Sequence, residues 1–458
     1  VVGMLTFLNG SMAVATQRYL TVELGKNDLQ AYNRVFCISC IIHVILASLI
    51  VIAAETVGLW FVNTQLNIPA GRMSAANWVY QLSIISVFVG IIQTPYMASL
   101  TAHERLDIYA YVGIWEAVSK LIIVLLLWLV SFDKLIVYAI LVLCVQLLSA
   151  AVYRMYCLKH FNECKYTWQW NRKLFRSLIG FTGWNLFGTI AWILKDQGAN
   201  MLLNIFGGPV INAARGVSYQ VSGAVQVLVN GFGTAVNPQL TKNYAVGDRI
   251  GLHKLFMSSS KISFFLLLLI ALPVMIEISY ILQLWLVEVP VYTTLFTQLV
   301  LLETLCSTLN GIMITSLLST GNIKWYQIVV GSVMLLNIPL SYIFLRLGFP
   351  IIIPFIVSIV ITILSFGLRL LFCKYQIGLS ITSYLQMVVL PILIVFPLSA
   401  ILPVVVHKMM EEGLLRLLLV LVTGGCSVCL CAYFIGLSQT ERLFVRMTVC
   451  NQIKRFKK

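Results

Sequence analysis

Charge is what this 458-residue chain has least of. Asp, Glu, Lys and Arg together make up 10% of it, where a soluble domain carries about 25%. With 60% hydrophobic residues and a mean hydropathy of +0.94, that scarcity excludes an ordinary soluble domain. Most side chains must face lipid or other apolar helices. Long loops are missing too. The longest connection is residues 158–177, too short for a soluble catalytic domain, so any work is done within or between helices. A disulfide framework is also lacking. The eleven cysteines lie mostly in apolar runs or on the basic side. Cys37 with Cys40, and Cys426 with Cys429, have CxxC spacing, but neither pair has a ligand-rich partner. They read as small packing residues rather than metal or redox centres. No metal and no cofactor is expected.

What the chain has is apolar runs near the ~20 residues that cross a bilayer. They are continuous, without strict period-two alternation, which selects helices over a barrel. Thirteen spans are expected, at about 1–20, 34–62, 80–100, 108–131, 134–157, 178–205, 211–240, 256–285, 291–319, 324–346, 350–373, 384–406 and 413–437. The fold class is an all-α polytopic membrane protein.

The net charge of +15 raises nucleic acid as a partner, and the distribution of the charge argues against it. With the loop after the first span taken as cytoplasmic, 23 of the 31 Lys and Arg residues fall on that side, Lys261, Arg369 and the basic tail "NQIKRFKK" among them. Only five, including Arg416, fall on the other. This is the positive-inside pattern, and it puts the C-terminus in the cytoplasm. The tail reads as an anchor that touches anionic membrane lipid. Trp168, Trp170 and Trp325 flank spans and read as interface belts. Lys120, Lys195 and Arg215 remain, inside or at the edge of spans.

The chain resembles itself at one offset. Asn9-Gly10 recurs as Asn230-Gly231, 221 residues on. Ala13, Val14, Gln17 and Gly25 match Ala235, Val236, Gln239 and Gly247 at 222, and "GIIQT" (90–94) matches "GIMIT" (311–315) at 221. The offset covers six spans, an even number, so matching helices enter the membrane in the same direction. This implies two parallel-repeat six-helix lobes followed by two further helices. The expected domains are an N-lobe at 1–157, a cytoplasmic linker at 158–177, a C-lobe at 178–373, two extra helices at 374–437 and a basic tail at 438–458. The partner of the sixth span falls ahead of Val1, so one further N-terminal helix is expected there.

Two six-helix lobes in parallel repeat plus two helices is similar to the plan of the multidrug/oligosaccharidyl-lipid/polysaccharide exporter superfamily. "QRYLTVELGKNDLQAYNRVFCIS" (17–39) resembles the second helix and following loop of its bacterial oligosaccharide and polysaccharide (O-antigen-type) flippase branch. "KDQGANMLLNIFGGPVINAARGVSYQV" (195–221) and "AVNPQLTKNYAVGD" (235–248) resemble the branch's seventh and eighth helices. The resemblance implies export of an undecaprenyl-pyrophosphate-linked O-antigen or capsule unit across the bacterial inner membrane. It also implies a V-shaped central cavity and alternating access. The expected partners are the lipid-linked oligosaccharide, membrane lipids and the polymerase and glycosyltransferases of polysaccharide synthesis.

A charge near mid-bilayer costs about 2.5–3.5 kcal/mol on insertion scales and usually faces a cavity or a partner. Arg215, one turn into the seventh span, could grip a phosphate with two parallel hydrogen bonds. It could equally snorkel to the outer interface or pair with Asp196. Lys195 and Asp196 are adjacent and point about 100° apart, so they cannot share one partner. Each is a candidate for the cavity, against a structural pairing. Glu116 and Lys120 lie four apart, which suits an intrahelical pair; Glu116 is also the one carboxylate deep in a first-lobe span. Arg18 could guide a lipid headgroup or simply obey positive-inside. Asn237, Pro238 and Gln239 end the seventh span, where proline can bend a helix and serve a gate. Glu277 and Glu303 are expected near the outer interface or packed. No catalytic residue is expected.

The leading reading is therefore a flippase with a cationic lumen, which performs no covalent chemistry. A cation-coupled multidrug antiporter of the same superfamily would place acids in the cavity instead. A membrane glycosyltransferase or polymerase would need a long outer loop or catalytic acids, and "HKMMEEG" (407–413) is the one acidic cluster on that side.

Overall fold

A computed structural model describes residues 6–64, 70–128, 131–443 and 446. Every secondary-structure element among them is a helix. In chain order these are α1 (Thr6–Gly25), α2 (Leu29–Ala53), α3 (Leu59–Thr64), α4 (Met73–Ile92), α5 (Thr94–Ala102), α6 (Leu106–Leu126), α7 (Lys134–His160) and α8 (Arg172–Val246). They are followed by α9 (Arg249–Trp285), α10 (Thr293–Thr320), α11 (Lys324–Leu335), α12 (Asn337–Arg346), α13 (Ile353–Ile377), α14 (Ile381–Tyr384), α15 (Leu390–Met409) and α16 (Leu414–Cys431). Several of the scarce polar residues start helices. Asp28 accepts from the Ala31 amide at 2.8 Å, Asp248 from Gly251 at 2.9 Å and Asn171 from Leu174 at 3.1 Å, each satisfying a backbone donor that the first turn leaves free.

The protein is a multi-pass membrane protein. Eleven helical stretches among the described residues are long and apolar enough to cross a bilayer. On α6, Ile114, Leu121 and Leu125 are each more than 60% exposed, which only a lipid face accounts for on this scale.

One of the eleven is α8, whose 75 residues would reach about 110 Å if straight. It is instead two helices meeting at Gly208, whose φ of 77° and ψ of −174° are open essentially to glycine alone. The chain turns back there: Arg215 lies 2.6 Å from Asp196, 19 residues earlier, where a straight helix would separate them by about 28 Å. The arms correspond to the expected sixth and seventh spans. Pro238 does not end the second arm. The helix runs on to Val246 and stops at Gly247, in the left-handed region at φ 82°, because losing one hydrogen bond at proline bends a helix more readily than it ends one.

The chain forms two compact units, Val1–Thr189 with Thr241–Gly247 and Ile190–Leu240 with Asp248–Lys458. In the first, α2 packs on α1 and α4, α4 on α7, and α6 on α7. Its core centres on the fully buried Tyr32, Phe36, Leu100 and Cys157. In the second, α9 packs on α10, α10 on α13, α11 and α12 on α13, and the α15–α16 hairpin on α9.

Two helices break at positions one repeat offset apart. α2 gives way to a π turn at Ala54–Gly58, and α9 loses helical dihedrals at Glu277 (φ −99°, ψ 15°); Glu55 and Glu277 stand 222 residues apart, the repeat offset. Thr94 donates to Asn9 at 3.2 Å, while Thr315, one offset on, donates to Asn237 at 3.0 Å rather than to Asn230, the counterpart of Asn9.

Three cations counted with the loops are in fact buried inside the protein. Lys261 is 4% exposed, Arg369 4% and Arg416 9%. Each has polar partners that position in the sequence did not indicate. Lys261 meets Glu441 at 2.7 Å, Arg416 meets Glu277 at 2.9 Å and Arg369 meets Asn310 at 2.9 Å.

Candidate functional site

The second unit encloses a cavity of about 440 Å³, within the range of small-molecule sites. One stripe from each of four helices builds most of its wall. Trp192, Lys195, Asp196 and Ala199 come from the first arm of α8; Tyr219, Ser222, Gly223 and Gln226 come from the second. Glu303, Thr304, Ser307, Asn310 and Gly311 come from α10, and Ser358, Thr362, Ser365 and Arg369 from α13. On α13 the steps are of three or four residues, and each of the other sets advances by one and three, so each set follows one broad helix face. The polar residues of otherwise apolar helices thus converge on a single space.

Four of the charges in this region are paired. The Lys195 ammonium donates to the Glu303 carboxylate at 2.7 Å and to the Thr362 hydroxyl at 3.1 Å. The same Glu303 oxygen accepts from Ser358 at 2.6 Å and from Thr362 at 3.2 Å. Across the α8 hairpin, Arg215 donates to the Asp196 carboxylate at 2.6 Å and to the Asp196 carbonyl at 3.0 Å. Its guanidinium lies 4.1 Å from the centre of the Tyr219 ring, close enough for a cation–π contact. As the ~100° between adjacent helical positions requires, Lys195 and Asp196 take different partners. Pairing offsets the cost of holding these charges away from water. The hydroxyls of Ser222 and Thr304 meet at 2.8 Å, and Gln226 donates to Ser222 at 3.0 Å.

Of the residues singled out from the sequence, Lys195 and Asp196 line this cavity, and Arg215 stands behind Asp196, 6% exposed. The others lie elsewhere. Glu116 is half-buried and Lys120 exposed on α6. No ion pair within 4.0 Å joins them, so the favourable four-residue spacing does not produce the expected contact among the described residues. Arg18, near the end of α1, packs its guanidinium over Tyr19 at 4.6 Å and Phe181 at 5.4 Å. Asn237, Pro238 and Gln239 are helical, in the second arm of α8, with Asn237 held by Thr315.

Two cavity residues had no such role in the reading of the sequence. Glu303, expected at the outer interface or packed, is packed as the counter-ion of Lys195. Arg369 faces the cavity inside α13. The signal for Arg369 is present in the sequence, as Ser358, Thr362, Ser365 and Arg369 recur at helical spacing through an apolar run.

Glu277 is packed too, the second of the two alternatives expected for it. Its side chain is fully buried, accepting from His407 at 2.7 Å and from Arg416 at 2.9 Å, and so fastens the α15–α16 hairpin to the kink of α9. Among the described residues no cluster of three or more His, Cys, Asp or Glu could hold a metal ion.

No protein-family description and no curated protein matches the chain. Solved structures do. An outward-facing multidrug resistance MATE family transporter of the MOP superfamily superposes with a TM-score of 0.72 at 12% identity, over 82% of this chain and 84% of that one. A MOP superfamily transporter from Pyrococcus furiosus, described as having a binding pocket of reverse polarity, gives 0.70 at 13%, over 82% and 85%. The MATE transporter ClbM in complex with Rb+ gives 0.71 at 15%, over 84% and 86%. At these identities the likeness is one of fold: the chain has the all-helical fold of the MATE transporters.

Proposed function

We propose that this chain is an exporter that moves a lipid-linked oligosaccharide, carried on undecaprenyl pyrophosphate, across the bacterial inner membrane by alternating access, for O-antigen or capsule synthesis. The observation that carries the reading is the polar cavity of the second unit, walled by membrane helices and lined by Lys195, Arg369, Asp196 and Glu303, with a third cation, Arg215, behind Asp196. A surplus of positive charge away from bulk water suits a pyrophosphate headgroup and acidic sugars. The fold shared with MATE transporters supports a transport role. The partners are then the lipid-linked substrate, anionic lipid at the basic tail, and the enzymes that make and polymerise the saccharide.

Complementation tests this. In a bacterium lacking its own copy, the wild-type chain restores surface polysaccharide. The Lys195→Ala/Arg215→Ala double variant, present at the same membrane level, does not. Normal export from the double variant would overturn the cationic-cavity account.

A second reading draws on a specific observation, that Asp196 and Glu303 are both on the cavity wall. Carboxylates there suit a cation-coupled multidrug antiporter. That reading predicts drug efflux dependent on Na+ or protons and no effect on polysaccharide. The Lys195 ammonium already on Glu303 weighs against it, since an internal cation stands where a coupling ion would bind.

A further inference from the structure

One cation in the cavity has no carboxylate. Arg369 is 4% exposed and lies eight residues, about 12 Å, from the C-terminal end of α13. Its Nη1 donates to the Asn310 side-chain oxygen at 2.9 Å, and its Nε faces the Tyr326 hydroxyl at 3.4 Å. Among the described residues no Asp or Glu lies within 4.0 Å of it. Glu303 stands seven residues before Asn310 on α10, about 10 Å along the helix, and is already engaged by Lys195, Ser358 and Thr362. A guanidinium carries five N–H donors, so donors remain for a further acceptor.

Ser365 supplies an independent observation. It lies one turn from Arg369 on the same face of α13, is 0% exposed, and its hydroxyl has no hydrogen-bond partner. It lines the same cavity as Arg369 and Asn310. Buried hydroxyls are rarely left without a partner, and a buried cation without a counter-charge is costlier still. The two deficits adjoin at one end of one cavity. A single anionic acceptor would remove both, taking the Arg369 fork and the Ser365 hydroxyl, with the Asn310 amide nitrogen as a further donor.

We propose that Arg369, Ser365 and Asn310 form a subsite for a phosphate oxyanion, either free or carried on a lipid. The set offers donors and one permanent positive charge, the complement of a phosphate's acceptor oxygens. The Lys195–Glu303 and Arg215–Asp196 pairs, being internally neutral, leave the net attraction at Arg369. The physiological role of the site rests on the transport reading; its affinity for phosphate does not.

The test is binding to the purified full chain in neutral detergent, with inorganic pyrophosphate as one probe and farnesyl pyrophosphate as the other. The wild type binds at least one of them, and Arg369→Gln weakens that binding by at least about tenfold. Ser365→Ala weakens it by about two- to tenfold. Binding of both probes with equal strength identifies the free headgroup as sufficient; binding of farnesyl pyrophosphate alone identifies a lipid-borne phosphate. Failure of the wild type to bind either probe overturns the proposal, as does unchanged binding by folded Arg369→Gln. If Arg369→Gln does not fold, Arg369→Lys and Ser365→Ala decide. Lys keeps the charge but loses the fork, so weaker binding in both supports the site and wild-type binding in both overturns it. The transport reading fails separately: normal polysaccharide in cells lacking the chain removes it, whatever the purified protein binds.

Discussion

Lys195 and Glu303 are each at least 85% buried at the side chain and lie 2.7 Å apart. Removing one partner of such a pair leaves a buried charge uncompensated, at a cost of about 3–5 kcal/mol, whereas replacing both with apolar residues is often neutral. Glu303→Gln is therefore expected to lower the thermal midpoint of the purified protein sharply. Lys195→Met/Glu303→Met is expected to recover the midpoint without recovering export. Recovery of both would make the pair purely structural. This scale also shows what a sequence discloses. Lys195, Asp196 and Arg215 stand out because each interrupts an apolar run. Arg369 does not, because it lies near the end of its run and passes for a loop residue. Its recurrence with Ser358, Thr362 and Ser365 marks a polar face, but which neighbour that face meets is decided by packing of α13 on α10.

At the scale of elements, the α8 hairpin depends on one residue. Gly208 occupies backbone space that a Cβ atom disfavours by about 1–3 kcal/mol, so Gly208→Ala should lower the unfolding midpoint measurably. An unchanged midpoint would show that the turn has an alternative geometry. The break itself was legible as Gly207-Gly208-Pro209; the persistence of the second arm past Pro238 was not, since its stop depends on Gly247.

The segment after α16 carries a pH-sensitive contact between Glu441 and Lys261. Burial opposes ionisation of Glu441, but hydrogen bonds from Lys261, Ser258 and the Ser438 amide outweigh it and hold the carboxyl down to about 2, from an ordinary 4.5. A depressed folded-state value means that the contact stabilises fully above about pH 4.5 and is lost as pH falls towards 2. The thermal midpoint should therefore fall over that window, and Glu441→Gln should lower the midpoint at neutral pH and flatten the fall. An identical acid profile in the variant would assign the loss to other groups.

On the scale of the whole molecule, composition alone excluded a soluble protein, and run lengths located the membrane helices of an all-α chain. The repeat offset of 221–222 residues reappears in the paired breaks at Glu55 and Glu277. These features survive divergence because they are set by bilayer thickness and helix geometry. Which charges neutralise each other was not legible, because Lys195 and Glu303 are 108 residues apart in the chain and meet only through tertiary packing. Under the proposed function, this chain carries a lipid-linked saccharide through a membrane by way of the polar cavity of its second unit. The most direct measurement is translocation of a fluorescent isoprenyl-pyrophosphate-linked saccharide in vesicles reconstituted with the purified full chain. The wild type is expected to move it well above the protein-free rate and folded Lys195→Met/Glu303→Met protein is not; movement at the protein-free rate by the wild type, or at the wild-type rate by the variant, would rule this function out.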